Sequence, residues 1–434
     1  MSPPLLGLCG VVALFSLLLL RFPVWVALSL TGFLGNVALA GWSSALSTIG
    51  QTPFDTASLY TLSVVPLFIL TGGVASGTGL SADLFKAARI MLSGLRGSLA
   101  VATIGASACF GAVCGSSIAT AATMAPISLS EMRKAGYSDG FAVGSIAAGG
   151  TLGILFPPSI ILVIYGAIAH QSVPILFAAS LLPGLLLTFL YIGVALFVAN
   201  RRPAHAPSMG GASMRERINA LRGPWQFLTL FIVTIGGIYA GIFSPTEAAS
   251  IGSLGAILLG IVGRRLKFGE LIKAIEGGVV TSCMLFIIIF SANIFGYFIV
   301  RTQLPSLLAQ QAQALALPGA LVMIFVIFAY LLMGCFLESI GMILITAPVF
   351  LPLVIAYGYD PVWFAIIVVI VVEIGLIHPP VGMNLFVVQA QAPDIKTIEI
   401  YRGVTPFLLA PFVLIFLLFL FPQIALWLPR LLYG

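Results

Sequence analysis

Residues 115–158 and 337–380 carry one pattern twice, without a gap and 222 positions apart. Identical residues fall at Ser117/Ser339, Ile118/Ile340, Ala125/Ala347, Pro126/Pro348, Leu129/Leu351, Gly136/Gly358, Tyr137/Tyr359, Gly153/Gly375, Pro157/Pro379 and Pro158/Pro380. The shared residues are mostly those that break or bend a helix, and they sit in strongly apolar sequence. A common need for small residues at helix contacts supplies a few matching glycines; it does not supply a constant register across two Pro-Pro pairs. Paired Gly/Pro-interrupted apolar segments in corresponding halves of a chain point to a secondary transporter with its site at the repeat interface.

The bulk numbers agree with that class. Of 434 residues, 60% are hydrophobic and 7% charged, with a mean hydropathy of +1.17. Soluble chains carry about a quarter charged residues, so this composition cannot cover a water-facing surface. Apolar stretches of about 20 residues, enough to cross a ~30 Å hydrocarbon core, recur throughout. The net charge of +6 is orientation information rather than a nucleic-acid footprint, because the basic residues cluster in short loops between apolar runs. Cys9, Cys109, Cys114, Cys283 and Cys335 lie in apolar sequence without CxxC or Cys/His spacing and read as small apolar residues. Residues 4–20 follow no basic n-region and read as a retained span.

Charge placement orders the spans. Arg201, Arg202, Arg215, Arg217 and Arg222 fill one loop, and Arg264, Arg265, Lys267 and Lys273 another; both are expected inside the cell. The runs 225–243 and 246–263 between them then meet outside at Ser244-Pro245-Thr246-Glu247. Segment 79–96 reads as an interfacial amphipathic helix. Segment 97–133 has Arg96 at one end and Arg133 and Lys134 at the other, so both ends are cytoplasmic. It is short for two crossings at ~1.5 Å per residue, and its middle reads GAVCGSSIAT, which predicts a re-entrant hairpin. Residues 316–356 form the matching hairpin, with spans at 4–20, 24–41, 57–77, 139–168, 172–200, 278–300, 361–390 and 404–428 completing the count. The expected fold is an all-α polytopic membrane protein of two inverted repeats, 1–200 and 225–434, joined by a cytoplasmic linker at 201–224. Each repeat holds five spans and one hairpin, and an odd number of spans forces the inversion. Arg301 and Arg430 lie outside in this scheme, against the charge rule.

The hairpin tips are the first candidates for chemistry. Gly115-Ser116-Ser117 and Glu338-Ser339 with Gly341 put hydroxyls, a carboxylate and unpaired backbone at mid-membrane, which is tolerated only where something satisfies them. The hydroxyls of Ser116, Ser117, Thr120 and Ser339 and the amide of Asn384 are the candidate substrate contacts. The breaks GILFPP (153–158) and GLIHPP (375–380) cannot continue as helix. Their freed carbonyls suit a hard cation such as Na⁺, and half-helix N-termini suit an anion. Intramembrane ionisable residues are few. Glu338 has site-like neighbours, Glu373 reads as a protonated or helix-paired carboxyl, and His378 sits where its carbonyl can matter more than its ring.

The stretches GLRGSLAVATIGASACFGAVCGSSIATAA, GTLGILFPPSIILVIYG, GIFSPTEAASIG and GLIHPPVGMNLFV, within 94–394, resemble the large membrane subunit of tripartite ATP-independent periplasmic (TRAP) transporters. The resemblance implies a scaffold part and a transport part moving as an elevator in the bacterial inner membrane. It also implies Na⁺ coupling, a small four-helix membrane partner as a separate chain, and a soluble periplasmic binding protein that delivers an organic acid. Carried over, one Na⁺ site involves Ser116 and Ser117 with carbonyls around Gly153, Phe156 and Pro158. The other involves Gly334, Gly375, His378 and Val381, with Glu338 as a charge partner. Some members have Asp where Glu338 stands, and Thr where His378 stands; the second change removes a side-chain ligand but not a carbonyl.

Competing readings have less to stand on. A stand-alone divalent-anion/Na⁺ symporter shares the architecture and lacks the two partners. A channel would more often show rings of repeated selectivity residues. No Ser/His/Asp constellation, phosphate-binding loop or metal-spaced cluster supports an enzyme, and nothing suggests a nucleic-acid partner; lipid is the expected surroundings.

Overall fold

The computed structural model describes every residue except Met1, Met209, Cys335, Phe336, Pro380 and Val381. The described residues form helices and connecting turns, with no strand. In chain order they are α1 (Pro3–Leu19), α2 (Val24–Ala57), α3 (Val64–Gly77), α4 (Leu80–Met91), α5 (Ser98–Cys114), α6 (Ser117–Lys134), α7 (Asp139–Leu155), α8 (Ile160–Ala169), α9 (Val173–Arg201) and α10 (Met214–Ala220). After the linker come α11 (Trp225–Phe231), α12 (Gly237–Tyr239), α13 (Pro245–Val262), α14 (Phe268–Arg301), α15 (Leu304–Ala314), α16 (Gly319–Gly334) and α17 (Ser339–Ala356). The chain ends with α18 (Pro361–Ile377), α19 (Met383–Gln391), α20 (Thr397–Leu420) and α21 (Gln423–Tyr433).

Shifted by 222 residues, α6 becomes α17 and α7 becomes α18 at both ends. The sequence repeat is therefore a repeat of helix boundaries. Seven helices are long and apolar enough to cross a membrane, and two bent pairs, α7 with α8 (41°) and α10 with α11–α12 (48°), bring the total to as many as nine. The hairpin legs α5 and α16, of 17 and 16 residues, span only about 25 Å at 1.5 Å per residue. That is short of the hydrocarbon core.

At the centre, α7 is buried from Phe141 to Leu155 and α18 from Val362 to Ile377. Apart from buried Ser145 and Thr151 on α7 and Glu373 on α18, both are apolar on every face, as suits helices without a water or lipid face. Alternating glycines let neighbours close in on them. A Cβ on Gly403 of α20 would stand 1.8 Å from the Gly140 carbonyl oxygen of α7, and one on Gly144 would stand 2.2 Å from the Gly403 oxygen. Where α6 meets α7, Arg133 pairs with Asp139 (2.8 Å) and Asp394 (2.6 Å). The guanidinium holds the Asp394 carboxyl below the usual carboxylate range. Ser244 and Glu247 form a reciprocal capping box that starts α13 in the expected turn.

Four expected span boundaries move. α2 does not stop near residue 41: Gly41, at φ +82°, kinks it and the helix resumes to Ala57, a backbone turn glycine makes without strain. α14 begins at Phe268, ten residues before the expected 278, so Lys273 belongs to a helix rather than a loop. Glu270 in its first turn favours that start. The run 225–243 contains a π segment at Ile232–Gly236 and ends as helix at Tyr239. The run 404–428 is broken at Phe421 and Pro422, and α21 is a separate amphipathic helix.

The α7–α20 crossing gives a direct test. Gly403→Ala adds one methyl where no space exists, an overpacking of about 1–3 kcal/mol or more. The purified variant should melt measurably below the parent, whereas Gly193→Ala, with nothing within 4 Å of its Cβ, should match it; equal melting of both would show that the crossing is not tight.

Candidate functional site

The first tip is built by two helix ends facing a helix break. α5 ends at Gly115, in the left-handed region at φ +65°, and α6 starts with Ser116 as its N-cap. The Ser116 hydroxyl accepts from the Ala119 amide at 3.4 Å, satisfying one of the unpaired amides of that helix start. Thr120 donates its hydroxyl to the Ser116 carbonyl at 2.7 Å. Gly153, the last glycine of α7 before its break, lies against this turn: a Cβ there would meet Thr120 Oγ1 at 2.5 Å and the Ser116 oxygen at 2.7 Å. Gly115 in turn leaves no room for a Cβ beside the Pro158 carbonyl oxygen, at 2.5 Å. Ser159 caps α8 and also donates to the Ile154 carbonyl at 2.5 Å. The Phe156 ring turns the other way, against Gly184 of α9, so only its backbone remains near the break.

Asn384, from α19 in the second half, reaches into this first tip. Its Nδ2 donates to Ser117 Oγ at 2.6 Å, and its Oδ1 is buried with no hydrogen-bond partner. Both residues are almost fully enclosed.

The second tip repeats the geometry with different chemistry. Gly334 at the end of α16 and Gly375 in α18 touch backbone to backbone, each Cβ position falling about 3 Å from the other's Cα (3.0 and 2.8 Å). The first half has the same crossing at Gly111 and Gly153. Glu338 takes the N-cap position of α17 with extended backbone, and one of its carboxyl oxygens is buried without a partner. Its polar neighbour is the Gly341 amide, an arrangement a helix N-terminus favours. His378 ends α18 with extended backbone, and its carbonyl oxygen lies 3.3 Å from a Cβ placed on Gly382. Val381, named for the second cation site, lies outside the described residues, as do Cys335 and Pro380.

The two tips open onto one cavity of about 760 Å³. Ser116 and Ser117 line it from one side and Glu338 and Ser339 from the other; α3 and α14 close it. Ser76 of α3 and Thr123 of α6 join hydroxyls across its wall at 3.1 Å. The structure therefore gathers Ser116, Ser117, Thr120, Gly153, Pro158 and Asn384 into one cluster. It sets Glu338 and Ser339 across the cavity and gives Gly334 and Gly375 the role of a packed crossing. Glu373 is elsewhere: it is fully buried on α18, its carboxyl oxygens have no hydrogen-bond partner, and Tyr191 of α9 faces it. The helix-paired reading of that carboxyl has no partner to support it. Sequence reasoning missed the α14 wall, with Glu270, Lys273 and Thr281. Their spacing of three, then eight, places them on one helix face, a signal open to anyone who reads 268–277 as helix.

Residues 11–424 match the family described as "Tripartite ATP-independent periplasmic transporter, DctM component". The chain is 36% identical over 381 residues to the C4-dicarboxylate TRAP transporter large permease protein DctM of Pseudomonas aeruginosa, covering 87% of this chain and 88% of that one. It is 34% identical over 376 residues to the sialic acid TRAP transporter large permease protein SiaM of Vibrio cholerae, covering 86% and 87%. The YdaH transporter of Alcanivorax borkumensis shares the fold, with a TM-score of 0.64 and 18% identity over 90% of this chain and 89% of that one. Subunits of this kind work with a small membrane subunit and a periplasmic binding protein. With its apolar helices, paired hairpins and family match across nearly its whole length, the chain belongs to the DctM-component family, the large multi-pass permease subunits of TRAP transporters in the bacterial inner membrane.

Proposed function

We propose that this chain imports a small organic acid across the inner membrane, coupled to Na⁺, by elevator movement of its hairpins and broken helices against α1, α2, α11, α13 and their neighbours. The observation that carries the reading is the shared cavity, where hydroxyls from one tip face a carboxylate from the other. The acid is handed over by a periplasmic binding protein, with a small four-helix subunit completing the membrane assembly. Both named relatives carry carboxylates in their titles, sialic acid and C4-dicarboxylates, which supports the substrate class. The repeats are proposed to be inverted, as the odd span count requires.

The donor set suits a hard cation, which prefers oxygen. Around the first tip, the Ser116 and Ser117 hydroxyls, the carbonyls at Gly153, Phe156 and Pro158, and Thr120 supply neutral oxygens. The unpartnered Oδ1 of Asn384 points to a group the protein itself does not provide. Around the second, carbonyls near Gly334, Gly375 and His378 supply the oxygens and Glu338 the balancing charge. The hydroxyls of Ser116, Ser117 and Ser339 also face the cavity, where a carboxylate accepts from them.

Uptake into proteoliposomes, with the cognate binding protein and a panel of acids, tests the whole reading: no Na⁺-stimulated uptake of any carboxylate would end it. Glu338→Gln keeps size and hydrogen bonding and removes the charge, so the Na⁺ concentration for half-maximal uptake should rise several-fold with expression unchanged. A Na⁺ curve superimposable on the parent would return Glu338 to packing.

The Ser116→Ala/Ser117→Ala double variant should lose Na⁺ stimulation more than yield, since it removes two oxygen donors from the first tip and little bulk. Normal stimulation would leave the tip as a packing turn.

Inversion is testable at two exposed, repeat-equivalent positions, Lys134 and Ala356. Cysteines placed there should label from opposite faces of the membrane, Ala356→Cys from outside and Lys134→Cys only after permeabilisation. Labelling from the same face would make the repeats parallel.

A further inference from the structure

We infer that Lys273 is the anion-selecting residue of the central cavity, the group that draws the substrate's carboxylate toward the hairpin tips. The inference rests on the carboxylate import proposed above.

Three ionisable side chains line the cavity: Glu270, Glu338 and Lys273. Two are acidic, so the cavity without Lys273 would repel the acid it is proposed to carry. Lys273 is the single Lys or Arg among the lining residues. It is exposed, and among the described residues it makes no ion pair, even with Glu270 one turn earlier on the same helix face. A long aliphatic stem with an unpaired ammonium at its end, projecting into a water-accessible cavity, is placed to meet a mobile anion. Along α14 the lining residues, Glu270, Lys273, Gly277, Thr281 and Leu285 among them, form a stripe that starts near the basic loop at Arg264 and Arg265. Lys273 stands near the loop end of that stripe, and it is level with the first tip: its neighbour Ala274 packs on Gly73 of α3, and the adjacent Gly72 packs on Cys114 at the end of α5. An acid held at the first tip therefore lies within the field of its ammonium. A lysine that only anchors the helix end at the lipid surface needs no place in this wall.

Charge-selective labelling reads the field at this site without depending on transport. In the full-length protein with its native cysteines replaced, Thr281→Cys provides an exposed thiol in the cavity wall, about 12 Å along the helix from Lys273 at 1.5 Å per residue. Two methanethiosulfonates of similar size, one bearing a sulfonate and one a trimethylammonium, then compete for it. With Lys273 in place the sulfonate reagent should be favoured. Lys273→Gln should lower the sulfonate-to-ammonium rate ratio roughly fivefold, the size expected for one unit charge at that distance in a hydrated cavity, and Lys273→Arg should keep it. Succinate or sialic acid at millimolar concentration should slow labelling in the Lys273 protein and less so in Lys273→Gln. A ratio indifferent to Lys273→Gln overturns the inference, and a ratio that responds while neither acid protects overturns the carboxylate assignment. Should the ratio and protection behave as expected while proteoliposomes take up no acid, the import reading fails and the anion site stands.

Discussion

A backbone that leaves the helix inside hydrocarbon must have its peptide groups met by protein, because no water is there to meet them. This chain leaves the helix at two hairpin turns and two helix breaks, and at the first of each the described residues show the solution. The first turn and the first break lie against each other so closely that Gly115 and Gly153 can carry no side chain. Thr120 spends its hydroxyl on the Ser116 carbonyl, and Ser159 spends its own on Ile154. The glycine crossings at Gly111/Gly153 and Gly334/Gly375 hold each hairpin leg against the buried central helices, which are largely apolar because protein surrounds them. Remove the close approach and the turns would face lipid with unpaired amides and carbonyls, at several kcal/mol each.

The same economy of polar groups explains why the cavity sits where it does. α3 and α14 present small residues, Gly72, Gly73, Gly277 and Gly278, toward the tips. Hydroxyls from both halves and carboxylates from the second then share one space between the hairpins and the long outer helix. Of the buried oxygens left without partners, which also include Asn36 and Glu373 in the core, those of Asn384 and Glu338 border this region, where a ligand would complete them.

The tips and breaks were legible because proline and glycine have few structural meanings. Ser116 and Pro158 stand in the first turn and the first break where their spacing placed them, while Gly153 and Gly375 fall in the last helical turns, which run on to Leu155 and Ile377 before each break. Asn384 was legible as a polar residue in an apolar run, but not its bond to Ser117, which joins residues 267 positions apart. The start of α14 was hidden by hydropathy itself. Glu270, Lys273 and Glu276 lower the apolar average, so the run seems to begin at 278, yet a helix can carry charges on a face that lines a wet cavity. The opposite error fused α20 and α21: the stretch stays apolar through Phe421 and Pro422, and an average cannot see a break whose residues are themselves apolar. Gly41 was readable as a kink only in hindsight, since a lone glycine in a membrane helix more often serves packing.

What differs between the repeats matters as much as what they share. Where the first half has Ser116 and Thr151, the second has Glu338 and Glu373, and Asn384 has only Leu162 as its counterpart. Duplication supplies the backbone, two turns against two breaks, and single positions supply the charge. The first tip is a neutral cluster of oxygens with an amide reaching across to it; the second carries a carboxylate. A substrate carboxylate sharing the cavity with an ionised Glu338 at about 6 Å meets a repulsion of about 3 kcal/mol at an effective dielectric near 20, or more than a hundredfold in occupancy. A cation at the second tip cancels that term, and Lys273 in the cavity wall offsets part of it. In the proposed mechanism, coupling then needs no separate device. The acid and the cation favour each other's binding because each neutralises what the other would have to face alone, a reciprocity that thermodynamic linkage imposes on any two ligands that interact.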